Sequence, residues 1–159
     1  ALQADPAQIY ADAIRRLYTQ DHMMGAEPPQ FPVVYLIGVT DDGVGDPNAP
    51  VSVPITISVP VRDMILSALA ESPEPLSTEF KWVENRDDVP MDPDTGAVSG
   101  GAMIVLGNIH FISEMYGYLS ASLYASDQAA TGRTYVLSKE SGAWEITGDT
   151  SVIWSSSKE

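Results

Sequence analysis

Tyr116-Gly117-Tyr118-Leu119-Ser120-Ala121-Ser122-Leu123-Tyr124-Ala125 is the stretch that decides the fold of this chain. Leucine and alanine occupy the odd positions from 119 to 125, and tyrosine and serine occupy the even positions from 118 to 124. Successive side chains of a strand point to opposite faces of a sheet, so this alternation predicts a β-strand with one apolar face. Such a face needs a covering layer, and that layer sets the fold class.

Further strands are predicted on both sides of this stretch. Residues 102–112 form a long, mostly apolar run, and residues 134–138 and 144–147 flank a turn that contains Gly142. A glycine at that place suits a turn that requires a positive φ. Residues 152–154 supply a last short strand. Because the connections are short, these segments predict a C-terminal antiparallel meander.

Two helices are predicted upstream, over residues 6–20 and 60–71. Asp5 is an N-cap residue followed by Pro6 at the first helical position, and Pro60 begins the second helix in the same way. Apolar residues then recur at helical spacing. They are Ile9, Tyr10, Ala13, Ile14, Leu17 and Tyr18 in the first helix and Val61, Ile65 and Leu69 in the second.

The rest of the chain is predicted to contain two strands, at 33–39 and 80–84, and a polar loop over residues 85–101. Residues 51–59 have an extended pattern, which Pro54 restricts to a sheet edge or a segment outside the sheet. We therefore expect residues 1–159 to form a single α+β domain. In it, two helices pack on one face of a curved antiparallel sheet that ends in the meander.

A family resemblance lies in the last strands. Residues 134–137, Thr-Tyr-Val-Leu, and residues 142–149, Gly-Ala-Trp-Glu-Ile-Thr-Gly-Asp, resemble the ending of exported bacterial domains of the nuclear-transport-factor-like and cystatin-like kind. Residues 31–35, 89–98 and 106–109 resemble secreted or lipid-anchored proteins of filamentous, Chloroflexus-like bacteria. The resemblance implies a cone-like or cystatin-like sheet and an exported protein, and it carries over no catalytic residue.

The composition excludes several classes of function. The chain has 8 Lys and Arg against 22 Asp and Glu, a net charge of -14, and no cysteine. Nucleic acids and anionic membrane surfaces need basic residues, so neither is a predicted partner. Disulfides and thiolate chemistry are excluded. No apolar run approaches the roughly 20 residues that span a bilayer.

The start of the chain and its lysine content favour an extracytoplasmic location, whether secreted, periplasmic or cell-surface. The sequence begins at Ala1 without an initiator methionine, which predicts that a signal or an anchor once preceded it. Lysine occurs only three times, at Lys81, Lys139 and Lys158, while Ser, Thr and Tyr are abundant.

The acidic loops are candidates for binding calcium. Asp41, Asp42 and Asp46 could offer oxygen ligands, and Asp92 and Asp94 could add more. Neither loop matches the EF-hand pattern, and Asp, Gly, Asn and Pro also occur where a chain turns. We expect no tightly bound metal, with Asp41, Asp42 and Asp46 as the positions for a weak calcium site.

The two histidines, His22 and His110, are the candidates for acid–base chemistry. Either would need a carboxylate such as Asp21, Glu84 or Glu114 within a cleft. Lone histidines more often lie on a surface or a sheet face. The common hydrolase, zinc, phosphate-binding and dinucleotide motifs are absent from the sequence. We therefore predict a protein that is not an enzyme.

The predicted partner-binding residues are Tyr116, Tyr118 and Tyr124, which share one strand face, together with His110. Rigid aromatic faces of this kind often bind carbohydrate or protein, although alternating tyrosine and serine also suits an ordinary solvent-facing sheet.

Three functions follow. The first is a non-catalytic interaction module, an accessory or structural subunit of a cell-surface or membrane-associated assembly such as a filament, with other proteins or its own copies as partners. The second is a cone-shaped domain that binds, or acts on, a small molecule or carbohydrate. The third is a calcium-stabilised surface protein. A pocket that holds His110 and a carboxylate would favour the second, and a solidly packed core with the tyrosine face buried in an interface would favour the first.

Overall fold

The computed structural model describes residues 6–22, 31–71, 78–126, 129–140 and 142–157. The elements are α1 (Pro6–Thr19), β1 (Val33–Ile37), α2 (Val59–Ala70), β2 (Glu79–Val83), β3 (Gly101–Phe111), β4 (Tyr116–Ser126), β5 (Ala129–Ser138), β6 (Glu145–Asp149) and β7 (Trp154–Ser157). Two single turns of 3₁₀ helix, Asp42–Val44 and Arg86–Asp88, lie in the long loops. The predicted α+β class, with two helices and a C-terminal meander, is confirmed.

The sheet is mixed, with the strand order β2-β1-β3-β4-β5-β6, and β7 pairs with the other end of β5. Strand β1 is parallel to both β2 and β3, whereas β3 to β6 are antiparallel. The expectation of an antiparallel sheet is therefore wrong for the first half of the sheet. The reason lies in the connections, because α2 returns the chain to the start of the sheet before β2, as a parallel neighbour requires.

The helices pack on one face of this sheet. Helix α1 contacts α2, β3, β4 and β6, and its apolar stripe is buried together with Ile65 and Leu69 of α2. The apolar face of β4 meets this stripe, as the alternation predicts, and Leu119, Ala121 and Leu123 have no exposed surface. The core is therefore a packed layer between helices and sheet.

The opposite face of the sheet is covered as well. Val44, Val89 and Val98, from the long loops, pack with Val105 of β3 and Ile37 of β1 in a second apolar cluster. Ser120 and Ser122 are buried beneath these loops. The alternation suggests that tyrosine and serine face solvent along β4. This is wrong at the middle of the strand, because the loop segments form a third layer over it.

The segment before α2 is extended and lies outside the named strands, as Pro54 indicates. One antiparallel bridge, between Val39 and Thr56, holds it beside the chain that follows β1. The N–H of Thr40 donates to the carbonyl of Ile55 at 2.9 Å, and the N–H of Ile57 donates to the carbonyl of Gly38 at 2.8 Å. Segment 51–57 is thus an edge of the structure.

Two smaller findings concern turns and helices. Gly142 has a φ of 94° and its N–H donates to the carbonyl of Lys139, so the predicted glycine turn is present. Within the described residues, no helix combines the length and the apolar character that crossing a membrane requires.

Candidate functional site

The most densely hydrogen-bonded polar group of the described chain lies where the 3₁₀ turn Asp42–Val44 meets β3. Asp42 Oδ1 accepts from the backbone N–H of Asn108 at 2.8 Å, and Oδ2 accepts from the backbone N–H of Ser52 at 2.7 Å. His110 Nε2 lies 2.9 Å from Oδ2, and the Asn108 side-chain amide lies 3.2 Å from it. The Asp42 side chain is 1% exposed. These residues form the Asp42 cluster.

The register of β3 makes this cluster possible. The pairing of β3 with β4 shifts between Leu106 and Ile109, so β3 has an irregularity at Gly107 and Asn108. The carboxylate lies over Gly107, where a Cβ would come within 2.7 Å of Asp42 Oδ1. From the helix side, the Tyr10 hydroxyl donates to the Gly107 carbonyl at 3.0 Å. The irregular part of β3 thus contacts the Asp42 carboxylate on one face of the sheet and the Tyr10 hydroxyl on the other.

Asp42 is held in its charged form. Burial by itself would raise the pKa of Asp42, but the hydrogen bonds from Ser52, His110 and Asn108 outweigh burial and lower it. An ionised Asp42 only accepts hydrogen bonds, so the Nε2 of His110 carries the proton that it shares with Oδ2. Burial, together with the negative charge of Asp42, raises the pKa of Tyr10.

The arrangement is not that of a catalytic triad. A nucleophile requires a base in direct contact with it. Here Ser52 and His110 both form hydrogen bonds with Asp42 Oδ2. The Ser52 hydroxyl also accepts a hydrogen bond from the side-chain amide of Asn108 at 2.6 Å. A cleft of about 400 Å³ adjoins the cluster at Thr40 and Asp41, but His110 is not among its lining residues. The Asp42 cluster therefore serves to attach the loop to the sheet.

The three weak metal candidates, Asp41, Asp42 and Asp46, have separate partners. Asp41 accepts from the guanidinium of Arg86 at 2.6 Å, and Asp46 Oδ1 accepts from the N–H of Asn48 at 2.8 Å. In the parts of the chain that the structure describes, no three metal-ligating side chains converge on one point. The expectation of at most a weak calcium site stays a prediction, to be tested by titration.

The structure brings together only part of the set of four predicted partner-binding residues. His110 and Tyr118 are cross-strand neighbours, and Tyr118 is half-buried. Tyr124, at the other end of β4, is half-buried and donates to the carbonyl of Gly96 at 2.9 Å. Tyr116 is 46% exposed, and its hydroxyl donates to Glu140, which raises the pKa of Tyr116. Tyr116 alone of the three tyrosines lies on an open surface.

Tyr116 adjoins a hairpin turn whose exposed apolar residues the sequence did not predict. Phe111, Ile112 and Met115, at the turn between β3 and β4, are 48%, 58% and 40% exposed. We call residues 111–116 the hairpin tip. The turn is ordered, because the N–H of Ile112 donates to the carbonyl of Tyr116 at 2.9 Å. The sequence does contain a signal for this surface: Phe111, Ile112 and Met115 are large and apolar, whereas residues at a hairpin turn are normally polar.

Trp144 supports the hairpin tip from the neighbouring turn. Its ring lies 4.9 Å from that of Phe111, between centroids. Trp144 precedes β6, is half-buried and packs against the core. Because Trp144 follows the glycine turn, the sequence predicts it to be a core anchor within a strand. The structure meets this prediction only in part, because Trp144 lies just before β6 and is only half-buried.

A second apolar surface lies on the edge segment. Val51, Val53 and Ile55 are 67%, 76% and 51% exposed, and they alternate with Ser52, Pro54 and Thr56. We call residues 51–56 the apolar edge. It is tied to the Asp42 cluster through the N–H of Ser52 and through the carbonyl of Val53, which accepts from Asn108 at 3.0 Å.

The other histidine is internal. His22 follows α1 and is 3% exposed, and burial lowers its pKa. A buried neutral imidazole beside α1 contributes to packing.

Comparisons with known proteins give no relative: no protein-family model matches the chain, and no curated protein and no solved structure gives a significant match. The resemblance to nuclear-transport-factor-like and cystatin-like domains stays a prediction.

Proposed function

We propose that this chain is a non-catalytic, extracytoplasmic interaction module that binds another protein through the hairpin tip. The observation that carries the proposal is the exposure of Phe111, Ile112, Met115 and Tyr116 within six consecutive residues. Large exposed apolar groups that lie together are typical of contact surfaces. Single exposed apolar residues would carry no such meaning.

The rigidity of the tip supports this function. Backbone hydrogen bonds close the turn, the N–H of Lys139 donates to the carbonyl of Met115 at 2.9 Å, and Trp144 packs on Phe111. An ordered apolar surface loses little conformational entropy on binding, which favours affinity. The packed layers on both faces of the sheet leave the tip as an exposed end of its longest hairpin.

The charge of the chain defines the kind of partner. With 22 acidic against 8 basic residues, the protein repels copies of itself and attracts basic surfaces. The partner that fits best is therefore a protein with an apolar pocket and a basic rim. Such a partner is consistent with an accessory or structural subunit of a cell-surface or membrane-associated assembly.

A photo-crosslinking experiment tests this function. A benzoylphenylalanine at position 112 should crosslink one protein of the envelope fraction of the producing cell, and the same group at the exposed position 95 should not. The captured protein is then purified and its Kd for this chain is measured. We expect Ile112→Ser to weaken binding at least tenfold and Thr95→Ser to leave it unchanged.

Two results would contradict the proposal. One is equal crosslinking from positions 112 and 95, which indicates random collision. The other is a Kd for the purified partner that Ile112→Ser and Met115→Ser do not alter. Sedimentation velocity of the purified chain decides whether the captured partner is a second copy, which would refute the argument from charge.

A further inference from the structure

The apolar edge has open backbone groups beside its exposed side chains. In the bridge between Val39 and Thr56, the hydrogen bonds are made by the residues on either side, from Thr40 to Ile55 and from Ile57 to Gly38. In an antiparallel pair, a residue flanked in this way directs its own N–H and C=O away from its partner strand. Thr56 therefore presents both groups to the outer side of the segment.

Pro54 limits how a further strand can be added there. Pro54, two residues before Thr56, has no N–H to donate. Continuous sheet extension between copies is disfavoured for that reason. A short extended segment can still pair with the N–H and C=O of Thr56, while Val53 and Ile55 supply an apolar surface beside it.

The charges of the residues that line the cleft beside the apolar edge indicate the charge of the ligand. Its apolar part consists of Ile37, Val39 and Pro54, and its polar part includes Asp41, Arg86 and Asp87. Arg86 and Asp41 neutralise each other at 2.6 Å, so the carboxylate of Asp87 is left in excess. A basic side chain in this cleft would balance it.

We propose that the apolar edge binds an extended, basic polypeptide segment that pairs with the backbone of Thr56 and places a lysine or arginine in the cleft beside Asp87. This site is distinct from the hairpin tip and does not depend on the function proposed for the tip. The binding energy is divided between apolar contact with Val53 and Ile55, hydrogen bonds to the backbone N–H and C=O of Thr56, and one ion pair with Asp87.

A blocked, dye-labelled octapeptide that alternates valine with lysine is the probe, and its binding is followed by fluorescence anisotropy. The matched control peptide alternates valine with glutamate. We expect saturable binding of the first peptide only, with shifts of the Ile55, Thr56 and Ile57 amide signals in NMR spectra. Thr56→Pro removes the outward N–H and should weaken binding at least tenfold.

Two further variants separate the contributions. Asp87→Asn should reduce affinity for the lysine peptide and reduce its dependence on salt, and Ile112→Ser at the hairpin tip should change neither. Thermal melting of each variant checks the fold. If Thr56→Pro fails to fold, the double substitution Val53→Ser with Ile55→Ser replaces it, with the same expected loss.

The proposal is overturned if the valine–glutamate peptide binds as well as the lysine peptide. It is also overturned if folded Thr56→Pro and Asp87→Asn variants bind with unchanged affinity, or if the shifted signals lie at residues 111–116. A failure of these experiments leaves the crosslinking result at the hairpin tip unaffected.

Discussion

His110 Nε2 lies 2.9 Å from Asp42 Oδ2, across 68 positions of sequence, and joins β3 to the loop that follows β1. The carboxylate is 1% exposed and the imidazole is 18% exposed, so His110 closes the cluster on its outer side. Through Ser52 and Asn108, the same carboxylate holds the apolar edge against β3. Asp42 thus joins both ends of segment 42–52 to β3, beside other contacts such as the hydrogen bond from the Asp46 N–H to the Thr134 hydroxyl.

Asp42→Ala should destabilise the protein by about 3 kcal/mol or more. The substitution leaves the buried N–H groups of Asn108 and Ser52 without an acceptor, and each unsatisfied group costs about 1–3 kcal/mol. Urea denaturation measures the loss. Asp63→Ala, at an exposed position of α2, is the control and should change stability by less than about 0.5 kcal/mol. Equal effects of the two substitutions would show that the cluster is not structural.

Acid should remove the contribution of Asp42. Its pKa in the folded protein is lower than the ordinary value of 3.8, so near that pH the unfolded chain binds more protons than the folded one. The stabilisation is complete above the unfolded pKa and is lost as the pH falls through the folded pKa. Free energies of unfolding between about pH 5 and pH 2 should fall less for Asp42→Asn than for the unmodified protein. Parallel curves would contradict this.

Gly107→Ala should destabilise by about 1–3 kcal/mol, the usual range for overpacking. A Cβ there would lie 2.7 Å from Asp42 Oδ1 and 3.1 Å from the carbonyl oxygen of Ser120. Gly148→Ala in β6 is the matched control, because its Cβ would meet nothing within 4 Å. In an Asp42→Ala background the cost of Gly107→Ala should shrink, since neighbouring sites are not additive. Full additivity in chemical denaturation would exclude this contact as the cause.

Trp144→Ala should cost about 2 kcal/mol, less than the 3–5 kcal/mol of a fully buried aromatic, because the ring is half-buried. Part of that loss belongs to the ring contact with Phe111, and a double-mutant cycle should give a coupling of about 0.5–1.5 kcal/mol. A loss under about 1 kcal/mol would show that Trp144 does not support the hairpin tip.

Calcium should leave the thermal midpoint unchanged at sub-millimolar concentration. Oxygens of Asp41, Asp42 and Asp46 accept hydrogen bonds from within the chain, and a cation would have to displace those donors. Magnesium at the same concentration is the control for nonspecific screening of the negative charge by a divalent cation. A large rise in the midpoint that Asp42→Asn abolishes would establish the calcium site.

The hairpin tip and the apolar edge were not predicted because local pattern and exposure are different properties. Ile112 continues an apolar run, and Val53 lies in a segment with β-branched residues, which are normally signs of burial. Both are exposed because no other element reaches them in the described structure. Which surfaces are covered by another segment depends on the path of the whole chain, and a local sequence pattern does not contain that information.

The sequence by itself determined the two helices, the meander of β3 to β6 and the burial of one face of β4, because side-chain period and helix-start residues act between near neighbours. Only the tertiary structure decided that β1 pairs in parallel with β2 and β3, that loops cover the second face, and that Asp42 meets His110. Those contacts join residues far apart in the chain, and periodicity shows which side chains are buried without showing which segment buries them.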